Sequence, residues 1–304
     1  MSTTVAERQE VARSSRSRWD KPFLLILAVV GGSYIVLIVA MLLADVKYVT
    51  TGHFWQALNS REIRYAVYLS LISCSITAIL SLWVAVPLGY LMSRWDDSAI
   101  RRSLPHFFSP KMWIDAILDI PVVLPPLVIG LSLLILFNLP LDTRTDLPVT
   151  QRTTLDNILE RYLHLGITYE IPAVILAQFA VACAFAVRTM RVAFDQITTR
   201  QEQVALTLGC SRAQAFWLVV LPEARRGMIT AGTLAWARAL GEFGPILVFA
   251  GATRLRTEVL STTVFLELSV GRLEAAVAVS LLMVAAAVLV LAIVRVYGLE
   301  SVRT

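Results

Sequence analysis

The sequence predicts an all-α membrane protein with about six transmembrane helices, and three observations predict it. Hydrophobic residues make up 57% of the 304 residues, at a mean hydropathy of +0.70, well above the apolar share of a soluble domain. Six runs have the length and composition of a membrane span, which needs about 20 apolar residues: Phe23–Ala44, Tyr65–Met92, Ile114–Phe137, Ile171–Phe194, Met228–Gly251 and Ala275–Tyr297. Lys and Arg then alternate in number between successive connections, roughly 17 on one side against about 9 on the other. The richer side holds both termini, Arg94–Lys111 and Arg188–Arg226, and is expected to be cytosolic.

Each element follows from local chemistry. The stretch Met1 to Lys21 carries Arg8, Arg13, Arg16, Arg18 and Lys21 and is expected to be a disordered basic tail. The first span is too long for a signal-peptide core and is followed by no small-residue cleavage site, so it reads as an uncleaved anchor. Pro87 and Gly89 interrupt the end of the second span. In the third, Pro121, Pro125 and Pro126 cannot donate backbone hydrogen bonds, leaving carbonyls free. Unpaired backbone at membrane depth is tolerated only where protein or water covers it, so this helix is expected to line a central interface or pathway. Asp115 and Asp119 lie near its cytosolic entry and read as surface or packing carboxylates. The long connection Asn138–Glu170 is expected to hold a short helix near Leu155–Leu163. Most tryptophans fall near the expected interfaces, the usual aromatic belt.

The fifth span contains WARALGEFGPILVFAG, Trp236 to Gly251. Arg238 and Glu242 are four residues apart and so share a helical face. An isolated charge at that depth costs at least ~2.5 kcal/mol, so the two are expected to pair and to face the bundle. Gly244 and Pro245 follow and let the helix bend. Arg238, Glu242, Gly244, Pro125 and Pro126 are therefore candidate pathway or gate residues. A structural ion pair is the competing reading for the first two.

Between the fourth and fifth spans lies QEQVALTLGCSRAQAFWLVVLP, Gln201 to Pro222. It begins as a short amphipathic helix, with Val204, Ala205 and Leu208 expected on one face. Gly209 can end that helix in a left-handed turn, and a second helical run leads to Leu221 and Pro222. A helix, a glycine and a second helix make a compact knob suited to a partner's groove. The spacing resembles the EAA loop of ABC-importer permeases. Ala205, Gly209, Val219, Leu221 and Pro222 match it; Gln203 stands where that family usually has Glu, Val204 where it has the first Ala, and Glu202 sits one residue early. The segments LDIPVVLPPLVIG (Leu118–Gly130) and RALGEFG (Arg238–Gly244) are similar to the molybdate and sulfate branch of the type I permeases. After Gly251 the match loosens: Ala252 and Ser261 stand where that branch often has Asn and Pro.

The resemblance implies a type I ABC importer permease fold over residues 65–298, with a cytosolic coupling loop at 195–227, preceded by a basic tail at 1–22 and a first span with its outer loop at 23–64. It implies a dimer, with a second copy or a different chain as the other permease. It also implies two ABC ATPase subunits bound through Glu202, Gln203, Ala205, Gly209, Leu221 and Pro222, and an extracytoplasmic substrate-binding protein that delivers a tetrahedral oxyanion such as molybdate, tungstate or sulfate. The implied site of action is the bacterial inner membrane, by alternating access.

The remaining residues exclude other classes. No Gly-x-x-x-x-Gly-Lys-Ser/Thr occurs, and Lys21, Lys47 and Lys111 do not follow glycines, so ATP is expected on a partner chain and no cofactor on this one. Cys74, Cys183 and Cys210 have no paired spacing, and His53, His106 and His164 lie in separate loops, so no metal site is expected. Dispersed basic residues argue against nucleic-acid binding. No nucleophile–base constellation can be assembled, so no catalytic residue is expected. An ion-coupled secondary transporter or channel is the alternative class; no inverted repeat or ion site of its own is visible.

Overall fold

The computed structural model describes residues 5–49, 54–55, 58–95, 110–140, 154–163 and 166–300. It divides into two compact units, Met1–Thr51 and Gly52–Thr304. The first is one continuous helix, α1 (Val5–Tyr48), with Pro22 inside it. The tail expected to be disordered is thus helical from Val5 onward. The apolar stretch within Pro22–Tyr48 is exposed along its length, as suits a helix solvated by hydrocarbon.

The second unit is organised around α2 (Arg61–Arg94), α6 (Ile171–Gln196) and α10 (Arg225–Leu240), which pack closely on one another. Small residues at four-residue steps make this possible. Ser73, Thr77, Ser81, Ala85 and Gly89 form one buried stripe on α2, and Ala231, Ala235 and Ala239 form another on α10. Among apolar helices the driving force is close van der Waals contact, and small side chains permit it. Gly89 is required by this approach: a Cβ there would stand 2.9 Å from Met190 Cβ and 3.0 Å from Arg191 N. Several polar groups in the seam bond across it, although the buried Ser81 hydroxyl has no partner among the described residues. Thr77 Oγ1 donates to Gln178 Oε1 at 3.2 Å, and Trp236 Nε1 donates to Ser75 Oγ at 3.3 Å.

Two expected spans are broken. The third divides into α3 (Pro110–Val123) and α4 (Pro126–Asn138), bent by 110° at Leu124 and Pro125. Two consecutive prolines cannot continue the α-helical ladder, and Pro126 instead opens the second piece. The fifth does not run from Met228 to Gly251. Helix α10 ends at Leu240, the chain turns through Gly241–Phe243, and α11 (Gly244–Phe249) follows. Among the described residues four helices are long and apolar enough to cross a membrane, or five counting the bent pair. The short helix α5 (Leu155–Leu163) lies where the sequence placed it. After the coupling segment and α11 come α12 (Leu260–Ser269) and α13 (Leu273–Glu300). One end of the bundle gathers Tyr169, whose N–H donates to Phe249 O at 3.3 Å, and Tyr65, whose hydroxyl donates to Arg256 O at 3.1 Å. The coupling segment occupies the opposite end, where α6 finishes.

Candidate functional site

The segment after α6 folds as α7 (Thr199–Thr207), a turn, α8 (Arg212–Ala215), a π-helical turn at Phe216–Val220 and α9 (Leu221–Glu223). The turn is a Schellman motif. Gly209 adopts φ +94°, Cys210 N donates to Ala205 O at 3.1 Å and Gly209 N to Leu206 O at 3.0 Å, which satisfies the last carbonyls of α7. Ser211 then starts α8 through a capping box: its Oγ accepts from Gln214 N at 3.2 Å while its own N–H donates to Gln214 Oε1 at 2.8 Å. Leu221 N–H reaches back to Phe216 O, the wide i→i+5 bond of a π turn. Pro222, with no N–H, follows directly and is exposed, while Leu221 is half-buried.

Successive residues of α7 point in different directions, so the face expected for Val204, Ala205 and Leu208 is divided. Ala205 is buried against the protein's own core, whereas Val204 is 50% and Leu208 80% exposed. Gln203 is also exposed. Adjacent helical positions do not share a face, and residues three or four apart do. Ala205 therefore sides with Glu202. The knob presents Gln203, Val204 and Leu208 outward.

Glu202 is the anchor. Its Oε1 accepts from the Tyr90 hydroxyl at 2.5 Å and its Oε2 from Arg94 Nε at 3.1 Å. Arg94 also donates to Phe194 O and Ile197 O, each at 3.2 Å, so one guanidinium ties the end of α2, the end of α6 and α7 together. The pair is largely shielded, with side-chain exposures of 16% and 13%. The sequence reading missed Tyr90 and Arg94 in this role. Their four-residue spacing at the end of a span, with an acid one position before the family's usual Glu, was the available signal.

The two broken spans meet. A Cβ on Gly244 would stand 3.0 Å from Leu127 N and 3.1 Å from Pro126 Cβ, and one on Gly130 would stand 2.7 Å from Pro245 Cα. The glycine of each segment thus receives the proline region of the other, backbone against backbone, and Pro126 and Gly244 are brought together. Pro125 caps α4 beside them. Arg238 and Glu242 form the expected ion pair, but Glu242 lies beyond the end of α10, in the turn, and is only 1% exposed. Arg238 stays 30% exposed, with its Cζ 5.6 Å from the ring centroid of Phe185 on α6. Asp115 and Asp119 on α3 pair with Arg191 and Arg188 on α6. At the opposite end Arg254 donates to Glu267 Oε1 at 2.7 Å, and Arg256 pairs with Glu170.

Helices broken and packed together inside an apolar bundle, with a capped helix–turn–helix knob at one end, define the membrane-embedded subunit of a transporter. The chain belongs to the family described as the binding-protein-dependent transport system inner membrane component, matched over residues 85–298. It is 30% identical to the molybdenum transport system permease protein ModB of Mycobacterium tuberculosis over 274 residues, 89% of this chain and 92% of that protein. It is 25% identical to the sulfate transport system permease protein CysT of Escherichia coli, over 82% of each. In fold it is similar to a chain of a bacterial alginate ABC transporter crystallised with an alginate pentasaccharide-bound periplasmic protein. That match has a TM-score of 0.65 at 14% identity and covers 97% of this chain and 98% of that one. The protein is a multi-pass membrane permease subunit of an ABC importer, a transport component rather than an enzyme.

Proposed function

We propose that this chain forms the translocation pathway of an ATP-driven importer for a tetrahedral oxyanion such as molybdate, tungstate or sulfate. A second permease chain completes the pathway, an extracytoplasmic binding protein delivers the anion, and ATP is hydrolysed on separate ABC subunits that receive the coupling knob. Both termini and the knob are cytosolic, in keeping with the Lys and Arg bias. The observation that carries the coupling role is the knob itself: an outward apolar face of Val204 and Leu208 on a helix held inward by Glu202. Gly209 sets the direction of that face, and Leu221 and Pro222 fix the exit into α10. The oxyanion rests on the names of the relatives. Arg238, Glu242, Gly244, Pro125 and Pro126, where the broken spans meet, are the pathway residues.

The test is a pull-down of the tagged protein from its native membrane in mild detergent, with partners identified by mass. Wild type should recover a P-loop ATPase, and Gly209→Asp should lose it while remaining folded. No atom lies within 4 Å of a Cβ at Gly209, so the substitution strains only the turn, by about 1–2 kcal/mol. Retained ATPase in the variant would refute the coupling role. A stable wild-type protein with no ATPase would favour the ion-coupled alternative.

A further inference from the structure

Charged side chains mark one face of the bundle toward its coupling end. Asp115 and Asp119 sit on α3 near its expected cytosolic entry, and Arg188 and Arg191 in the last turns of α6, toward the coupling end. Their side chains are substantially exposed, 52% for Asp119 and 44% for Arg188, 38% for Asp115 and 29% for Arg191. A charge facing hydrocarbon at the centre of a span would cost about 2.5–3.5 kcal/mol and one nearer its end less, so a face carrying four of them suits water or another polar surface. Stability does not account for it, because ion pairs this exposed contribute about 0–1 kcal/mol.

The arrangement is ordered. Asp115 meets Arg191 and Asp119 meets Arg188, the register of two antiparallel helices. Phe185, Arg188 and Arg191 follow one another at three-residue steps, about 4.5 Å of rise each. Above them Arg238 lies over Phe185 and pairs with Glu242. Three guanidinium groups thus descend from the break in the fifth span toward the coupling end, Arg238 beside Glu242, Arg188 beside Asp119, and Arg191 between Asp115 and Asp195, the latter at 3.9 Å.

Resting on the oxyanion reading above, we propose that Arg238, Arg188 and Arg191 are a descending anion ladder that carries the substrate through the inner half of the pathway. A guanidinium offers a fork of donors that matches a tetrahedral oxyanion, which a lysine's point charge does not. The carboxylate beside each arginine serves release. It takes the guanidinium back as the anion leaves, so binding is strong enough for entry and weak enough for exit.

The experiment is uptake of radiolabelled molybdate and sulfate into proteoliposomes holding the complete complex with its ATPase and binding protein. Wild type is compared with Arg188→Gln, Asp119→Asn and the neutral double variant. Arg188→Gln and the double variant should lose at least about tenfold in uptake, the factor that about 1.4 kcal/mol represents. ATP hydrolysis stimulated by loaded binding protein should persist in both, and Asp119→Asn, which keeps the guanidinium but removes the carboxylate that takes it back, should slow uptake; unchanged uptake in Asp119→Asn would overturn the release role. A double variant that transports like wild type overturns the ladder and leaves the pair as a helix clamp. If that variant does not assemble, Arg191→Gln with Asp115→Asn gives the same reading. A wild-type complex that takes up neither anion overturns the oxyanion reading and the ladder with it; one that takes up either leaves only the ladder at issue.

Discussion

Glu258 shows how far a single residue can depart from its ordinary chemistry. It lies in the connection between α11 and α12, fully buried, and neither carboxyl oxygen has a hydrogen-bond partner. The Thr263 hydroxyl, which would otherwise serve it, donates to Val259 O at 3.0 Å. Burial pushes the carboxyl above the usual carboxylate range; the nearby Thr263 hydroxyl and Arg254 oppose the push, and Glu267 and Glu62 add to it. A carboxyl whose pKa is raised by folding favours the native state at acid pH and loses that contribution as pH rises through its native value. Glu258→Gln should therefore raise the unfolding midpoint in detergent by a few degrees at mildly alkaline pH. The gain should vanish below the ordinary carboxylate range. Midpoints measured across pH would show the opposite trend, or none, if Glu258 is ionised and satisfied.

At the scale of elements, the coupling helix α7 is too short to hold itself. A helix of nine residues is marginal in water and depends on tertiary contact. Here the contact is Ala205 against the core and Glu202 between Tyr90 and Arg94. Removing one partner of a shielded ion pair costs about 3–5 kcal/mol, and Arg94 in addition serves two carbonyls. Arg94→Ala should therefore raise hydrogen–deuterium exchange across residues 199–211 while leaving α2, α6 and α10 protected. Tyr90→Phe, which removes one hydrogen bond to a charged acceptor, worth about 1.5–3 kcal/mol, should do so more weakly. Equal protection in wild type and Arg94→Ala would mean that α7 is held by something other than this anchor. The same lesson applies to the broken spans: Gly130 and Gly244 each occupy a place where a Cβ would strike the opposing segment, so the two breaks depend on one another.

For the whole molecule the central question is orientation. The coupling knob and the Glu258 region lie at opposite ends of the second unit, so a single pair of labels decides it. In a Cys210→Ser background, Ser211→Cys should react with a membrane-impermeant thiol reagent only from the cytosolic face. Val270→Cys, 60% exposed in wild type, should react only from the other. Reversed labelling would overturn the cytosolic placement of the knob and with it the route by which ATP hydrolysis reaches the spans.

Much of this architecture was legible because membrane burial writes itself into composition. Spans of α1, α2, α6 and α13 follow from apolar runs alone, and α5 from its local pattern. The Gly209 turn was legible because few residues other than glycine accept its backbone conformation. The breaks were foreshadowed by Pro125, Pro126 and Gly244, since a missing N–H or side chain is a local property. Local chemistry thus shows a helical membrane protein, where its helices must falter, and where its knob turns. Which residues meet depends on the folded bundle. Glu202 rather than Gln203 faces Arg94, Ala205 turns inward, Asp115 and Asp119 find Arg191 and Arg188, and Gly130 receives Pro245. Those pairings depend on the rotation and register of helices far apart in the chain. Close packing between surfaces sets that register, and no local pattern carries it.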